Sequence, residues 1–207
     1  MDLTGIVNRN EYYTNHYFAA IFADNARATI SDWRARARGG EYKAPWSRLR
    51  EVARKYFVLR EQYRRSSGAD AKGELVEELA GALLAALDYP ASGEYQSVEI
   101  EDELEIPVYQ ELKRSNGSPW LWVLLVNSAG SEEELLDRGI DSFLGGRVPD
   151  AVDEMTIEDL ASKLFFSLEE APRWVILVGM DQVALLDRSK WNEKRYLLFE
   201  LDEIFGR

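Results

Sequence analysis

The sequence predicts an α+β chain, with N-terminal helices followed by a mixed β-sheet carrying further helices. Three observations lead there. Apolar residues recur at intervals of three and four through the first 87 or so positions. After Pro90 the pattern changes to short runs of branched and aromatic residues. Between two of those runs stands Ser115-Asn116-Gly117-Ser118, a hairpin signal because Asn-Gly readily adopts positive φ. At 207 residues, 46% of them apolar and 12% aromatic, the chain can bury a substantial core, which excludes disordered and fibrous classes.

Residues 10–38 read as one or two helices, with Tyr13, Tyr17, Ala20 and Ile21 near helical spacing. Asp24-Asn25 is a candidate break, and Gly39-Gly40 a stop. Pro45 then precedes a long helix over 46–65, closed by Ser66-Ser67-Gly68. A third helix covers 73–87 and ends before Tyr89-Pro90; its run Leu83-Leu84-Ala85-Ala86-Leu87 predicts burial. Strands follow over 95–100, 104–113 and 120–126. An acidic loop comes next, with Glu132-Glu133-Glu134, then Gly145-Gly146 and Pro149. Thr156 opens a helix to about 168, with Asp159 where a capping box has Glu or Gln, so the box is expected to be imperfect. Strands over 173–179, 183–186 and 196–201 complete the sheet. Glu203 to Arg207 starts a helix-like stretch, and the expectation is a piece of a longer protein.

Composition removes several chemistries. No cysteine is present, so disulfides and thiolate metal sites are excluded, and a single histidine, His16, cannot build a histidine zinc centre. The start lacks the basic-then-apolar pattern of a secretion signal. No apolar run approaches the ~20 residues that span a bilayer. The expected location is the cytoplasm, with no membrane partner.

Charge divides the chain. Residues 1–66 hold 13 Lys and Arg against 7 Asp and Glu, a surplus of +6; the other 141 hold 12 against 30, a surplus of −18. The division suggests a basic helical subdomain over 1–68 and an α/β subdomain over 69–207, together one module. A polyanion would meet the basic part, since the acidic remainder repels it.

From Gly73 onward the element order is helix, three strands, helix, strand. This is the order of a restriction-nuclease-like, PD-(D/E)xK-like core. Such a core needs an acid on one strand and Glu/Asp-x-Lys on the next to hold Mg²⁺ and activate water. At the end of the strand after the hairpin stand Leu124, Leu125, Val126 and Asn127, which offer a hard cation no carboxylate. A weaker candidate is Glu111-Leu112-Lys113, with Glu99, Asp102 and Glu105 as acidic neighbours. Against it stands a plain reading, in which Glu111 and Lys113 face solvent on an alternating strand. A degenerate core is therefore expected, with no catalytic residues. Neither a Gly-x-Gly-x-x-Gly nor a Gly-x-x-x-x-Gly-Lys motif occurs. His16, among Tyr12, Tyr13, Tyr17 and Phe18, reads as a packed or half-exposed helical residue.

The helix over 46–65 is the most informative local feature. Leu49, Val52, Tyr56, Leu59 and Tyr63 form an apolar stripe. Arg50, Arg54, Arg64 and Arg65 fall opposite, with Glu61 among them; Arg34, Arg36 and Arg38 add charge to the preceding helix. Such a face binds phosphates by charge and forked hydrogen bonds, or else is simply a solvated or protein-docking face. Trp33 and Trp46 read as core or interface residues.

Two stretches carry a family likeness. Gly5-Ile6-Val7-Asn8-Arg9-Asn10-Glu11-Tyr12-Tyr13-Thr14-Asn15-His16-Tyr17 resembles the opening of large adenine-specific DNA methyltransferases of restriction-modification and phage-defence systems, of the DISARM, BREX and type IIG kinds. Pro172-Arg173-Trp174-Val175, Leu185 to Trp191, and Phe199 to Phe205 are similar to a block that precedes their methyltransferase domain. The resemblance implies a parent enzyme that moves a methyl group from S-adenosylmethionine to adenine in DNA. It implies no cofactor in this fragment and no catalytic residue, since the SAM-binding turn and the Asn-Pro-Pro-Tyr-type motif are not matched. Asp187, Arg188, Lys190 and Trp191 are its most family-like residues, read as a turn that docks the next domain. The expected partners are DNA, the downstream methyltransferase domain and other defence-system proteins. The expected role is a non-catalytic accessory module. The alternatives are a Mg-dependent endonuclease domain and a protein-interaction module.

Overall fold

The computed structural model describes residues 3–40, 42–90, 94–101, 104–127, 134–145 and 155–206. Asp102, Glu132, Glu133, Gly146, Pro149 and Arg207, singled out above, lie outside the described residues. The helical periodicity forms α1 (Phe22–Arg38), α2 (Pro45–Arg65) and α3 (Ala69–Ala86). Pro45 occupies the first turn of α2, where its fixed φ and missing N–H suit a helix start. Val52, Tyr56, Leu59 and Tyr63 are buried as the stripe requires, against Val76, Leu79, Ala80 and Leu83 of α3. The two helices share one core with the sheet, so packed side chains join the residues before and after 68. In the 83–87 run Leu83, Leu84 and Ala86 are buried, but Leu87 lies past the end of α3 and is 44% exposed.

No break occurs at Asp24-Asn25. Asp24 stays in the first turn of α1 and pairs with Arg27 at 2.5 Å. The irregularity sits earlier, as a π-helical turn over Tyr17–Ile21. The wider turn brings the Tyr17 and Phe22 rings within 5.9 Å, with Phe18 5.8 Å from Phe22. His16, at the start of this turn, is exposed instead of packed.

The strands are β1 (Ile6–Arg9), β2 (Gln96–Glu101), β3 (Leu104–Val108), β4 (Gln110–Lys113), β5 (Pro119–Leu125), β6 (Trp174–Val178), β7 (Gln182–Asp187) and β8 (Tyr196–Glu200). Two further helices are α4 (Ile157–Ser167) and α5 (Leu201–Phe205). The main sheet runs β1-β8-β7-β6-β5-β4 and is mixed: β5 and β6 are parallel, and every other pair is antiparallel. The single strand expected over 104–113 is divided at Tyr109. Its first half pairs with β2 in a separate two-stranded ribbon, and its second half pairs with β5. The β4–β5 hairpin turns at Asn116-Gly117 as expected, with Gly117 at φ +85° and Asn116 at an ordinary negative φ. Strand β1 was not anticipated; Gly5 before it sits at φ +78° so close to α5 that a Cβ would lie 2.7 Å from Ile204.

Alternation along β5 explains its unbroken apolar sequence. Leu121, Val123 and Leu125 face α2 and α3, while Trp122 and Leu124 face α4. Both faces of the strand are thus covered. Over β6, β7, β8 and β1 the first of these faces is only half covered. There Trp174, Ile176, Val183, Leu185, Phe199 and Ile6 floor an apolar groove of about 860 Å³. No helix among the described residues is long and apolar enough to cross a membrane.

Candidate functional site

The arginines of α2 divide by direction. Arg48 and Arg60 turn inward: Arg48 forks onto Asp88, and Arg60 clamps Asp181 and Asp202. Tyr56 donates to the same Asp202 at 3.1 Å. These pairs fix the helix against the end of α3, the β6–β7 turn and α5. Arg50, Arg54, Arg64 and Arg65 are all exposed, on the side opposite the buried stripe. At a rise of 1.5 Å per residue they extend over about 22 Å. Glu61 lies among them, 3.2 Å from Arg65 and 3.9 Å from Arg64, so the face keeps a net positive charge. At its centre Phe57 and Val58 are 38% and 58% exposed. Arg34 and Arg38 of α1 are exposed as well; Arg36 stacks 3.9 Å over the Tyr42 ring, and Trp33 meets Trp46 at 6.3 Å.

The Glu111-x-Lys113 triplet is arranged differently from a solvent-facing pair. Glu111 stands opposite Trp122 in the β4–β5 register. The Trp122 indole donates to one carboxylate oxygen at 3.1 Å, and Lys113 lies 3.1 Å from the other. The Glu111 side chain is only 12% exposed, whereas Lys113 is 56% exposed. Both oxygens are therefore engaged by this chain's own donors. Glu105 accepts from Ser97 across the β2–β3 ribbon and faces Glu99 there. Leu124, Leu125 and Val126 are buried in the core, and Asn127 accepts from Tyr63 at 2.6 Å. Among the described residues no group of three His, Asp or Glu side chains is placed to hold a metal ion.

Asp187, Arg188, Lys190 and Trp191 form a turn that is largely engaged within the chain. Asp187 is buried; it accepts from the backbone N and Oγ of Ser189 at 2.9 Å each and pairs with Arg173 at 2.8 Å. Tyr12 donates to it at 3.4 Å. Burial, then the Asp187 charge, pushes the Tyr12 phenol well above its ordinary range. Lys190 donates to the Tyr12 carbonyl and lies 4.2 Å over the Tyr12 ring. Trp191 is fully buried, donating to Ser162 at 3.0 Å and packing on Phe165. The turn thus docks the segment before α1. Of the four residues Arg188 alone is exposed; Lys190 is half-buried, and Asp187 and Trp191 are buried within this chain. Sequence reasoning missed Tyr12 and Arg173 as partners of Asp187. Asp-x-Ser after a strand is a recognisable Asx-type turn, but nothing local names a tyrosine 175 positions earlier. No family model matches the chain, and neither a curated protein nor a solved structure matches it.

Proposed function

We propose that this chain is a non-catalytic accessory module of an adenine-specific DNA methyltransferase in a restriction-modification or phage-defence system, engaging DNA through the outer face of α2. The observation that supports the reading is the common exposed face of Arg50, Arg54, Arg64 and Arg65, while Arg48 and Arg60 are held inward. Exposed guanidinium groups along about 22 Å of helix suit successive phosphates, which they fork by paired hydrogen bonds. Contacts of this kind position a protein on a duplex without reading its sequence. S-adenosylmethionine and the methyl transfer belong to the parent enzyme in this reading. Replacing Arg50, Arg54 and Arg64 by Glu abolishes salt-sensitive duplex binding; an unchanged affinity in that variant rejects the DNA role.

A second reading, docking of another defence-system protein, draws support from Phe57 and Val58, which leave an apolar island among the arginines. It would show as a stable complex that forms without DNA, survives the charge reversal and is lost in Val58→Asp. Metal-dependent cleavage is the less favoured reading because Glu111 already has donors on both oxygens. Mg²⁺-dependent nicking that disappears in Glu111→Ala would establish it instead.

A further inference from the structure

Among the described residues, helix α1 is held by little more than the aromatic contacts of Phe22 with Tyr17 and Phe18, of Trp33 with Trp46 and of Arg36 with Tyr42, and one face of the sheet is only half covered. Helix α1 has 17 residues and buries none of them. Its apolar residues Phe22, Ala26, Ile30, Trp33 and Ala37 nevertheless form a single stripe, all within about 80° of one another around the axis. Each of the five is half-buried, Phe22 beside Tyr17 and Phe18 and Trp33 beside Trp46, and none is fully covered. A stripe of this kind on a globular protein ordinarily faces a core. The groove over β6, β7, β8 and β1 has the opposite shape and the same deficiency, a concave apolar floor open to solvent.

We infer that the two complete each other between copies: α1 of a second copy of this chain lies in the groove, and the exchange is reciprocal about a two-fold axis. Size supports this occupant. A helix about 25 Å long and about 10 Å across buries roughly 400 Å² of itself when half its surface is covered. Each chain contributes one helix and one groove, hence about 800 Å² per partner, the area of a standard stable interface. Charge supports it too. Arg27, Arg34 and Arg38 border one side of the stripe and Arg36 the other, while Glu203 is the charged residue lining the groove. The basic first 66 residues of one copy would thereby meet the acidic remainder of the other, a +6 against a −18 surplus. Reciprocal exchange closes the assembly at two, so no edge is left to grow a filament.

Sedimentation velocity on the full 207-residue chain tests this. The expected species is a dimer. Ile30→Asp places a carboxylate in the apolar contact and weakens dimerisation by at least about 100-fold. Leu185→Glu in the groove floor does the same from the other side. If Leu185→Glu fails to fold, Ile30→Asp still decides, because α1 has no fully buried residue and Ile30 belongs to neither core cluster, so its far-ultraviolet circular dichroism remains that of the wild type. Mixing the two variants restores a dimer of intermediate affinity, since one intact helix still meets one intact groove. A wild-type monomer at every accessible concentration overturns the inference, and so does a dimer indifferent to Ile30→Asp or a mixture that stays monomeric. A monomeric chain whose groove binds a fluorescent apolar probe assigns the groove to another occupant and likewise overturns it. The charge reversal on α2 leaves the dimer intact, so this inference and the DNA reading fail separately.

Discussion

At the scale of single residues, Asp187 is a buried charge with a large expected effect. It is 1% exposed and accepts from Arg173, Ser189 and Tyr12. Removing one partner of a buried pair leaves an uncompensated charge, which costs about 3–5 kcal/mol. Arg173 is itself 39% exposed, so water recovers part of that loss. We expect Asp187→Ala to lower the unfolding free energy by about 3 kcal/mol in urea titrations, and Tyr12→Phe by no more than about 1 kcal/mol. Tyr56 gives a pH signature. Its phenol is raised well above the ordinary value by burial, then by the charges of Asp202 and Asp181. The fold therefore keeps a proton that the unfolded chain releases near pH ~10. Stability is intact below that pH and declines as pH rises above it, and Tyr56→Phe should flatten the decline in urea midpoints measured from about pH 9 to 11. Both clusters explain what could not be read locally. Asp187 and Trp191 stand out in the sequence, yet burial and partners 175 and 29 positions away are set by the sheet.

At the scale of elements, periodicity located almost every helix and strand but not their partners. A period of two tells which face a residue takes, not which strand lies beside it. Residues 104–113 illustrate the point, since one uninterrupted pattern serves two sheets divided at Tyr109. Strand β1 is shorter still, four residues whose pairing with β8 depends on the far end of the chain. The start of α4 went the other way, and its capping box is better than its residues suggested. Thr156 Oγ accepts from the Asp159 amide at 3.2 Å, and the Asp159 carboxylate accepts in return from the Thr156 amide at 3.2 Å. The shorter Asp side chain suffices because Thr156 Oγ also donates to it at 2.7 Å. Thr156→Ala should cost about 1 kcal/mol, measured by thermal or urea unfolding. Those same bonds hold the Asp159 carboxyl below its usual range. Its contribution is present above the unfolded carboxyl pKa of ~3.9 and disappears as pH falls through the lower folded value. The difference between wild type and Thr156→Ala should accordingly narrow only in strong acid.

At the scale of the whole molecule, the charge division would limit how this chain holds DNA under the proposed reading. The surplus of −18 beyond residue 66 repels a duplex from most directions, so a productive encounter must present the helical side. The sequence indicated that side, and it also indicated which four arginines of α2 point outward. It did not show that Arg48 and Arg60 are withdrawn into ion pairs with Asp88, Asp181 and Asp202, because those carboxylates come from distant segments. The withdrawal leaves Arg50, Arg54, Arg64 and Arg65 as the outward arginines of α2. If Arg50, Arg54, Arg64 and Arg65 each neutralise one phosphate, about four counterions are released on binding. The logarithm of affinity should then fall with the logarithm of salt concentration at a slope of about −3.6. Each single Arg→Gln substitution among the four should reduce that slope by about 0.9, whereas Lys113→Gln, outside the face, should leave it unchanged. Fluorescence anisotropy of a labelled duplex across a salt series measures all of these slopes. A steeper wild-type slope would bring the arginines of α1 into the contact, and a slope near zero would remove phosphate binding from α2 altogether, leaving Phe57 and Val58 as the feature to which the face owes its exposure.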